Sequence, residues 1–229
     1  MKSVNNLAHQ LGKLVGEKCN FPVYMYEHSA TQNKRKNLAY LRKGEYENIP
    51  KKITQEKWKP DYGPAIFNSK SGMTAIGARD FLIAYNINLK TSDVDIAKQI
   101  AGIVRESGFI KNGQKTEGKI KGLKAIGWMM ESYHCAQVST NITNINSAPI
   151  HTVFETVKSE AKKLGVDVNG SELIGLIPER ILLEAGKFYS STTFHKQTNK
   201  ELINLSINKL GLNTLSNFII SERIIEYRL

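Results

Sequence analysis

The sequence predicts an α+β protein, and three observations predict it. Apolar residues recur at helical spacing in some segments and as short β-branched or aromatic runs in others. Between residues 81 and 177 these segments alternate as strand, helix, strand, strand, helix, strand. No apolar run approaches the roughly 20 residues that a membrane helix needs. At 229 residues, 41% apolar and 23% charged, the chain is long enough for one large domain or two small ones.

The elements follow in order. Val4, Leu7, Ala8, Leu11, Leu14 and Val15 repeat on one face of an opening helix, with Ser3 as its N-cap. Residues 21–26 (FPVYMY) read as a buried strand. A helix with this stripe, feeding a central-looking strand, suggests packing on a sheet with further strands. The apolar face is then expected to be partly uncovered. Residues 27–60 are polar and basic, with short helices around 38–42 and 51–58. Glycine and proline bound a long loop over 60–72, a length that marks functional or disordered segments.

Residues 74–79 and 81–89 read as strands. A helix over 92–106 follows, capped by Ser92, with Val94, Ala97, Ile100, Ala101 and Val104 inward. A basic, glycine-rich excursion then carries Lys111, Lys115, Lys119, Lys121 and Lys124. Strands at 123–131 and 136–144 flank a turn at 132–135. A helix over 149–165 closes at Gly165, a strand spans 168–177, and helices cover 178–189 and 201–210. The order from 81 to 177 is that of a ferredoxin-like split βαβ unit, with both helices on one face of a four-stranded antiparallel sheet.

The two cysteines, Cys19 and Cys135, are too far apart in sequence for a disulfide framework or a zinc motif and suit a reducing cytosol. Polar residues interrupt the opening segment throughout its length, so it does not read as a signal peptide. The net charge of +11 attracts polyanions, with nucleic acid, anionic lipid, a polycarboxylate ligand or simple solvation as readings. Nucleic-acid binding rests on charge alone, without aromatic platforms or recognition motifs.

Several long blocks are more specific than any of this: FPVYMYEHSA, RKGEYENIPKK, WKPDYGPAIF, GMTAIGARDFLIAYNINLKT, AQVSTNITN, HTVFETVKSEA, GSELIGLIPERILLEAG and SERIIEYRL. In collinear order they resemble glutamate formimidoyltransferase, the transferase half of formiminotransferase-cyclodeaminase. The resemblance implies two α+β subdomains: a partial α/β N-terminal one over 1–80, holding the folate loop, and a C-terminal one over 81–229. It implies that the chain begins partway through the first, with roughly a hundred residues upstream in a full-length relative. It also implies that no cyclodeaminase portion follows.

The implied reaction moves the formimino group of N-formimino-L-glutamate to N5 of tetrahydrofolate in histidine degradation. The alternative is a non-catalytic remnant that binds folate or dimerises. The implied partners are those two substrates and a second copy in a cytoplasmic homodimer, with no membrane, nucleic acid or metal. The co-substrate is expected to be polyglutamylated, with 34–59 and 111–124 as basic tracks for its tail.

The resemblance assigns folate binding to Gly63, Pro64, Ala65, Ile66, Phe67, Asn68, Ser69, Lys70, Ser71 and Gly72. The residue types agree. Glycines admit a close backbone approach, Ile66 and Phe67 can cover a flat pterin, and Asn68, Ser69, Lys70 and Ser71 carry donors for carboxylates. The spacing is not that of a Walker A loop.

The family's catalytic histidine is expected upstream, so no catalytic residue is carried over. Of the five histidines, His9 reads as helix surface, His134 as a solvated turn and His195 as polar loop. His28 follows a strand end, and His151 opens a helix within the pattern HTVFE. None has metal-site spacing. Arg79 reads equally as a carboxylate fork or as an ion pair with Asp80. Lys70 reads more readily as solvated, and Glu172 more readily as a solvent-side strand residue than as a catalytic one.

Overall fold

The computed structural model describes residues 1–190 and 197–229 of a mixed α+β protein. The chain forms two units, Met1–Asp80 and Phe81–Leu229.

In the first unit, helix α1 (Lys2–Cys19) precedes strand β1 (Val23–Glu27). Short helices α2 (Leu38–Arg42) and α3 (Ile49–Ile53) follow, then strand β2 (Thr74–Ala78). β1 and β2 pair in parallel, from Val23 opposite Thr74 to Glu27 opposite Ala78. α1 starts two residues earlier than expected. Ser3 lies inside it, Met1 is the cap, and the Asn5 amide donates to the Met1 carbonyl.

α1 packs on β1 and β2 mainly through its small residues, with Val15 beside them and none of its leucines buried. Ala8, Gly12 and Gly16 are its buried positions. A Cβ at Gly16 would lie 2.6 Å from the Gly63 backbone nitrogen, so the helix backbone itself reaches the neighbouring chain. Val4, Leu7, Leu11 and Leu14 are left 50–61% exposed. The stripe read as the packing face is therefore mostly uncovered, because close approach through small residues turns the neighbouring stripe outward.

In the second unit the elements are β3 (Ile83–Leu89), α4 (Val94–Val104), β4 (Phe109–Lys111) and β5 (Gln114–Thr116). Next come β6 (Leu123–Met130), β7 (Cys135–Ile142), α5 (Ile150–Lys163) and β8 (Val168–Ile174). Helices α6 (Glu179–Tyr189), α7 (Asn199–Leu210) and α8 (Ile220–Arg223) close the unit. The main sheet has the order β6-β7-β3-β8, with every neighbouring pair antiparallel. α4 packs on β6 and β7, α5 on β3, and the two helices touch each other. Tyr85, Ile87 and Leu89 of β3 point into the core that these helices cover, beside Ile100, Val138, Val153 and Val157.

Local chemistry sets the ends. Asp93, not Ser92, caps α4, its carboxylate accepting from the Asp95 amide at 2.9 Å. α7 starts two residues early because Thr198 and Glu201 form a reciprocal capping box. Gly165, at φ 75°, ends α5 while the Val166 amide donates back to the Ala161 carbonyl. The basic excursion contains the small hairpin β4–β5, which the sequence reading did not anticipate. Its signal was Asn112-Gly113, both at positive φ, the pair that a two-residue turn favours.

Candidate functional site

The glycine-bounded loop of the first unit rests on a buried ion pair. The Arg35 side chain is 1% exposed, and its Nη1 lies 2.8 Å from Asp61 Oδ2. Its Nη2 donates to the Lys59 and Lys57 carbonyls at 2.8 and 3.2 Å. The guanidinium lies over the Tyr24 ring, 5.0 Å from its centroid. Asp61 also accepts from the Met25 amide at 2.7 Å and from the Thr31 hydroxyl. Tyr24 donates to the Trp58 carbonyl at 2.5 Å, and burial pushes its pKa up to about 12. One charge pair thus ties β1 to residues 57–61. The sequence reading counted Arg35 only among the cations of a basic stretch; its partner stands 26 residues away, beyond any local pattern.

Backbone bonds carry this anchoring into the loop. The Val23 amide donates to the Tyr62 carbonyl, and the Asp61 amide to the Val23 carbonyl. His9 Nδ1 shares a hydrogen bond of 2.9 Å with the Tyr62 hydroxyl, so His9 is a part-buried contact rather than plain helix surface. Gly63 has φ 75°, and a Cβ there would sit 2.2 Å from the Phe21 carbonyl oxygen. At the far end Gly72 has φ 64°, and its amide donates to the Asn68 carbonyl at 2.7 Å.

Within the loop, Asn68 Oδ1 accepts from the amides of Lys70 and Ser71 at 2.9 and 3.1 Å. This oxygen is spent on shaping the turn, which leaves the Asn68 amide nitrogen as its outward donor. Tyr46 donates to the Ser69 carbonyl at 2.5 Å and meets Phe67 edge-on at 5.6 Å. Phe67 is therefore half-buried against the loop's own support, while Ile66 is 69% exposed. Pro64 is half-buried, and Ala65, Ser69, Lys70 and Ser71 are exposed. The arrangement offers one exposed aliphatic surface, hydroxyl and amide donors and a lysine on a backbone fixed at both ends.

The other candidates disperse. His28 Nε2 lies 3.2 Å from Asp80 Oδ2 in an exposed pair. Arg79 donates to the Asp80 carbonyl at 3.3 Å and forms no ion pair with its carboxylate. His134 is exposed, at φ 48° in the turn before β7. His151 stacks on Phe188 with ring centroids 4.3 Å apart, and burial lowers its pKa. It reads as a packing residue between α5 and α6. His195 lies outside the described residues. Among the described residues no group of three His, Cys, Asp or Glu side chains is placed to hold a metal ion, and no helix is long and apolar enough to cross a membrane.

Of the basic stretch over 34–59, Arg35 is neutralised by Asp61, and Arg42 pairs with Glu45 at 3.6 Å. Lys43, Lys52 and Lys57 line a concavity of about 300 Å³ floored by Tyr40 and Trp58, with no carboxylate in its lining. Lys52 is buried over the Trp58 ring, donates to the Leu41 carbonyl at 2.9 Å, and has its pKa lowered by burial.

The second unit carries a polar sheet face. Asn86 and Asn88 alternate with the core residues of β3 and so point away from them. Glu172 stands opposite Asn86, Gln137 opposite Asn88, and Trp128 opposite Gln137. Glu172 is half-buried and accepts from the Tyr133 hydroxyl at 3.1 Å. Glu172, read as a solvent-side strand residue, instead shares a face with the buried Asn88 and Gln137 and has one carboxylate oxygen shielded from solvent.

Comparison with known proteins accounts for both units. Residues 1–79 match the formiminotransferase domain, N-terminal subdomain, and residues 84–229 match the formiminotransferase domain. The formimidoyltransferase-cyclodeaminase of Dictyostelium discoideum is 40% identical over 228 residues, 99% of this chain and 42% of that protein. The mouse protein of the same name is 42% identical, over 96% of this chain and 40% of its own length. The glutamate formimidoyltransferase of Streptococcus pyogenes is 41% identical over 194 residues, 83% of this chain and 62% of its own. The chain thus spans about two fifths of the bifunctional relatives and about three fifths of the monofunctional one.

Proposed function

This chain belongs to the formiminotransferase domain family, and we propose that it serves as a glutamate formimidoyltransferase or as a part of one. The reaction would move the formimino group from N-formimino-L-glutamate to N5 of tetrahydrofolate. The observation that carries the reading is the 41% identity to a glutamate formimidoyltransferase along 83% of the chain.

In this reading residues 63–72 take the folate. Ile66 covers an apolar ring face, and Lys70, the two serines and the Asn68 amide meet polar edges. The Arg35–Asp61 pair does not touch the ligand; it fixes the frame from which the loop departs. Rigid placement matters because joining two substrates in reacting geometry is a large share of such a catalyst's effect. N5 attacks the formimino carbon, and a tetrahedral adduct forms. The glutamate amine then leaves with a proton. A positioned base is worth about 10²–10⁴ in rate. None of the described histidines is assigned that role.

The second unit's strand order supports a ferredoxin-like split βαβ reading, since β3 lies between β7 and β8 with β6 at the edge. A polyglutamylated co-substrate suits the unpaired cations Lys43 and Lys57, through electrostatic steering that salt would weaken. A homodimer in the cytoplasm completes the proposal.

The test is formimino transfer to tetrahydrofolate by the purified chain, alone and mixed with the portion of the Streptococcus relative outside the matched 194 residues. Transfer in either arm is expected. No transfer and no tetrahydrofolate binding in both arms would overturn the reading.

A further inference from the structure

Helix α1 turns an apolar stripe to solvent that the first unit's own fold does not use. Val4, Leu7, Leu11 and Leu14 follow one another at intervals of three, four and three residues. That is the repeat of a helix-to-helix seam, narrower than the stripe a helix lays on a sheet. The sheet contact of α1 is made instead by Ala8, Gly12 and Gly16, with Val15 beside them. All four seam residues are exposed by half or more, and Lys18, the next position of the repeat, ends the seam with a charge. A row of large aliphatic side chains held open to water in this way marks an interaction surface.

The sheet beside the seam is also short of neighbours. β1 and β2 are its two strands, and they run parallel. Parallel strands belong to larger sheets covered on both faces, and a two-stranded sheet is marginal by itself. β1 is enclosed. Val23 and Met25 cluster with Ala8 of α1, Tyr24 packs with Leu41 and Trp58, and Val23 bonds on its far edge to residues 61–62. β2 is open. Its Thr74 amide donates to the Pro22 carbonyl and its Ala78 carbonyl accepts from the His28 amide, both toward the β1 side. The exposed Ala75 therefore aims its amide at the other edge, where β2 has no strand neighbour among the described residues.

We infer that the α1 seam and the free edge of β2 form one docking surface. Its occupant is the polypeptide that the transferase relatives carry outside the region matched by this chain, bringing an apolar helix face to the seam and a strand to β2. Residues 1–79 match an N-terminal subdomain, and the matched 194 residues are 62% of the Streptococcus protein. A second copy of this chain suits the surface less well. The seam runs only from residue 4 to residue 14, short of the roughly three to four heptads that mark a coiled coil. Four side chains on one helix also fall short of the roughly 800 Å² per partner that a stable interface buries. An occupant that adds a strand as well as a helix supplies the difference. The inference rests on the family assignment, not on the transfer reaction.

The experiment measures assembly of the full chain with the portion of the Streptococcus relative outside the matched 194 residues. The two are co-expressed and sedimented together, and the same portion is also fused ahead of Met1 through a flexible linker. The variant is the double replacement Leu7→Gln with Leu11→Gln, both side chains being exposed in the chain alone. Wild type is expected to form a one-to-one complex, weakened about ten- to hundred-fold for each leucine replaced. Hydrogen exchange at Ala75 is expected to slow on assembly. In the fusion the double variant is expected to lower the urea midpoint, whereas in the chain alone it leaves the midpoint unchanged. The fusion decides by itself where the separate portion does not fold. Assembly indifferent to the double variant, or unchanged exchange at Ala75, overturns the inference. So does self-association of the chain through the seam without a complex, which would assign the face to a second copy. Assembly without formimino transfer would overturn the transferase reading and leave this inference standing.

Discussion

Replacing Asp61 with alanine removes the centre of the network that supports the loop. Asp61 is 9% exposed and Arg35 1% exposed, so the guanidinium would remain where water cannot replace the lost carboxylate. Arg35 would keep the Lys57 and Lys59 carbonyls and the Tyr24 ring, but its Nε already lacks a partner. The Met25 amide and the Thr31 hydroxyl would lose their acceptor as well. Breaking a buried pair from one side costs about 3–5 kcal/mol, far more than the pair's net worth. The double replacement Arg35→Met with Asp61→Leu should therefore cost less than Asp61→Ala alone. Urea unfolding followed by Trp58 fluorescence, in a Trp128→Phe background, reports on the first unit because Trp58 is buried there. A loss below about 1 kcal/mol for Asp61→Ala, or a double variant weaker than the single, would refute the reasoning.

Three further outcomes are expected. Gly16→Ala should destabilise the first unit despite the better helix propensity of alanine, because its Cβ would meet the Gly63 backbone nitrogen at 2.6 Å. Leu11→Gln, on the exposed stripe, should leave the unfolding midpoint nearly unchanged in the same urea titration. Asn68→Ala should cost tetrahydrofolate affinity in a binding titration, since it releases two amides that shape the loop. Unchanged affinity would argue that the loop does not need that turn.

The pH dependence concerns Glu160, whose pKa is lowered by hydrogen bonds from Lys119 and Lys163. A carboxylate depressed on folding contributes stability above its ordinary value of 4.5 and loses it as pH falls through the folded value. Thermal melts should show Glu160→Gln less stable than wild type near neutrality. The gap should close with acidification below the ordinary value, and a gap that persists there would contradict the ion-pair account.

Much of the fold was legible because it is written locally. Helical periodicity located α4, and short β-branched or aromatic runs located β3, β6 and β7. The loop over 60–72 was visible from its glycines and prolines, and the resemblance blocks predicted the family that comparison then established. The hairpin at Asn112-Gly113 was equally local and simply went unread. What the sequence by itself determined was therefore the kind and order of elements, and the chemistry available at each position. Which groups meet was decided only in three dimensions. Asp61 finds Arg35 across 26 residues and Tyr133 finds Glu172 across 39, and α1 seats Gly12 and Gly16 rather than its leucines. The physical reason is that a side chain's face follows from strand register and helix rotation, and a one-residue slip in register would send Glu172 to the opposite side of its sheet. Periodicity fixes neither; only the packing of distant segments does.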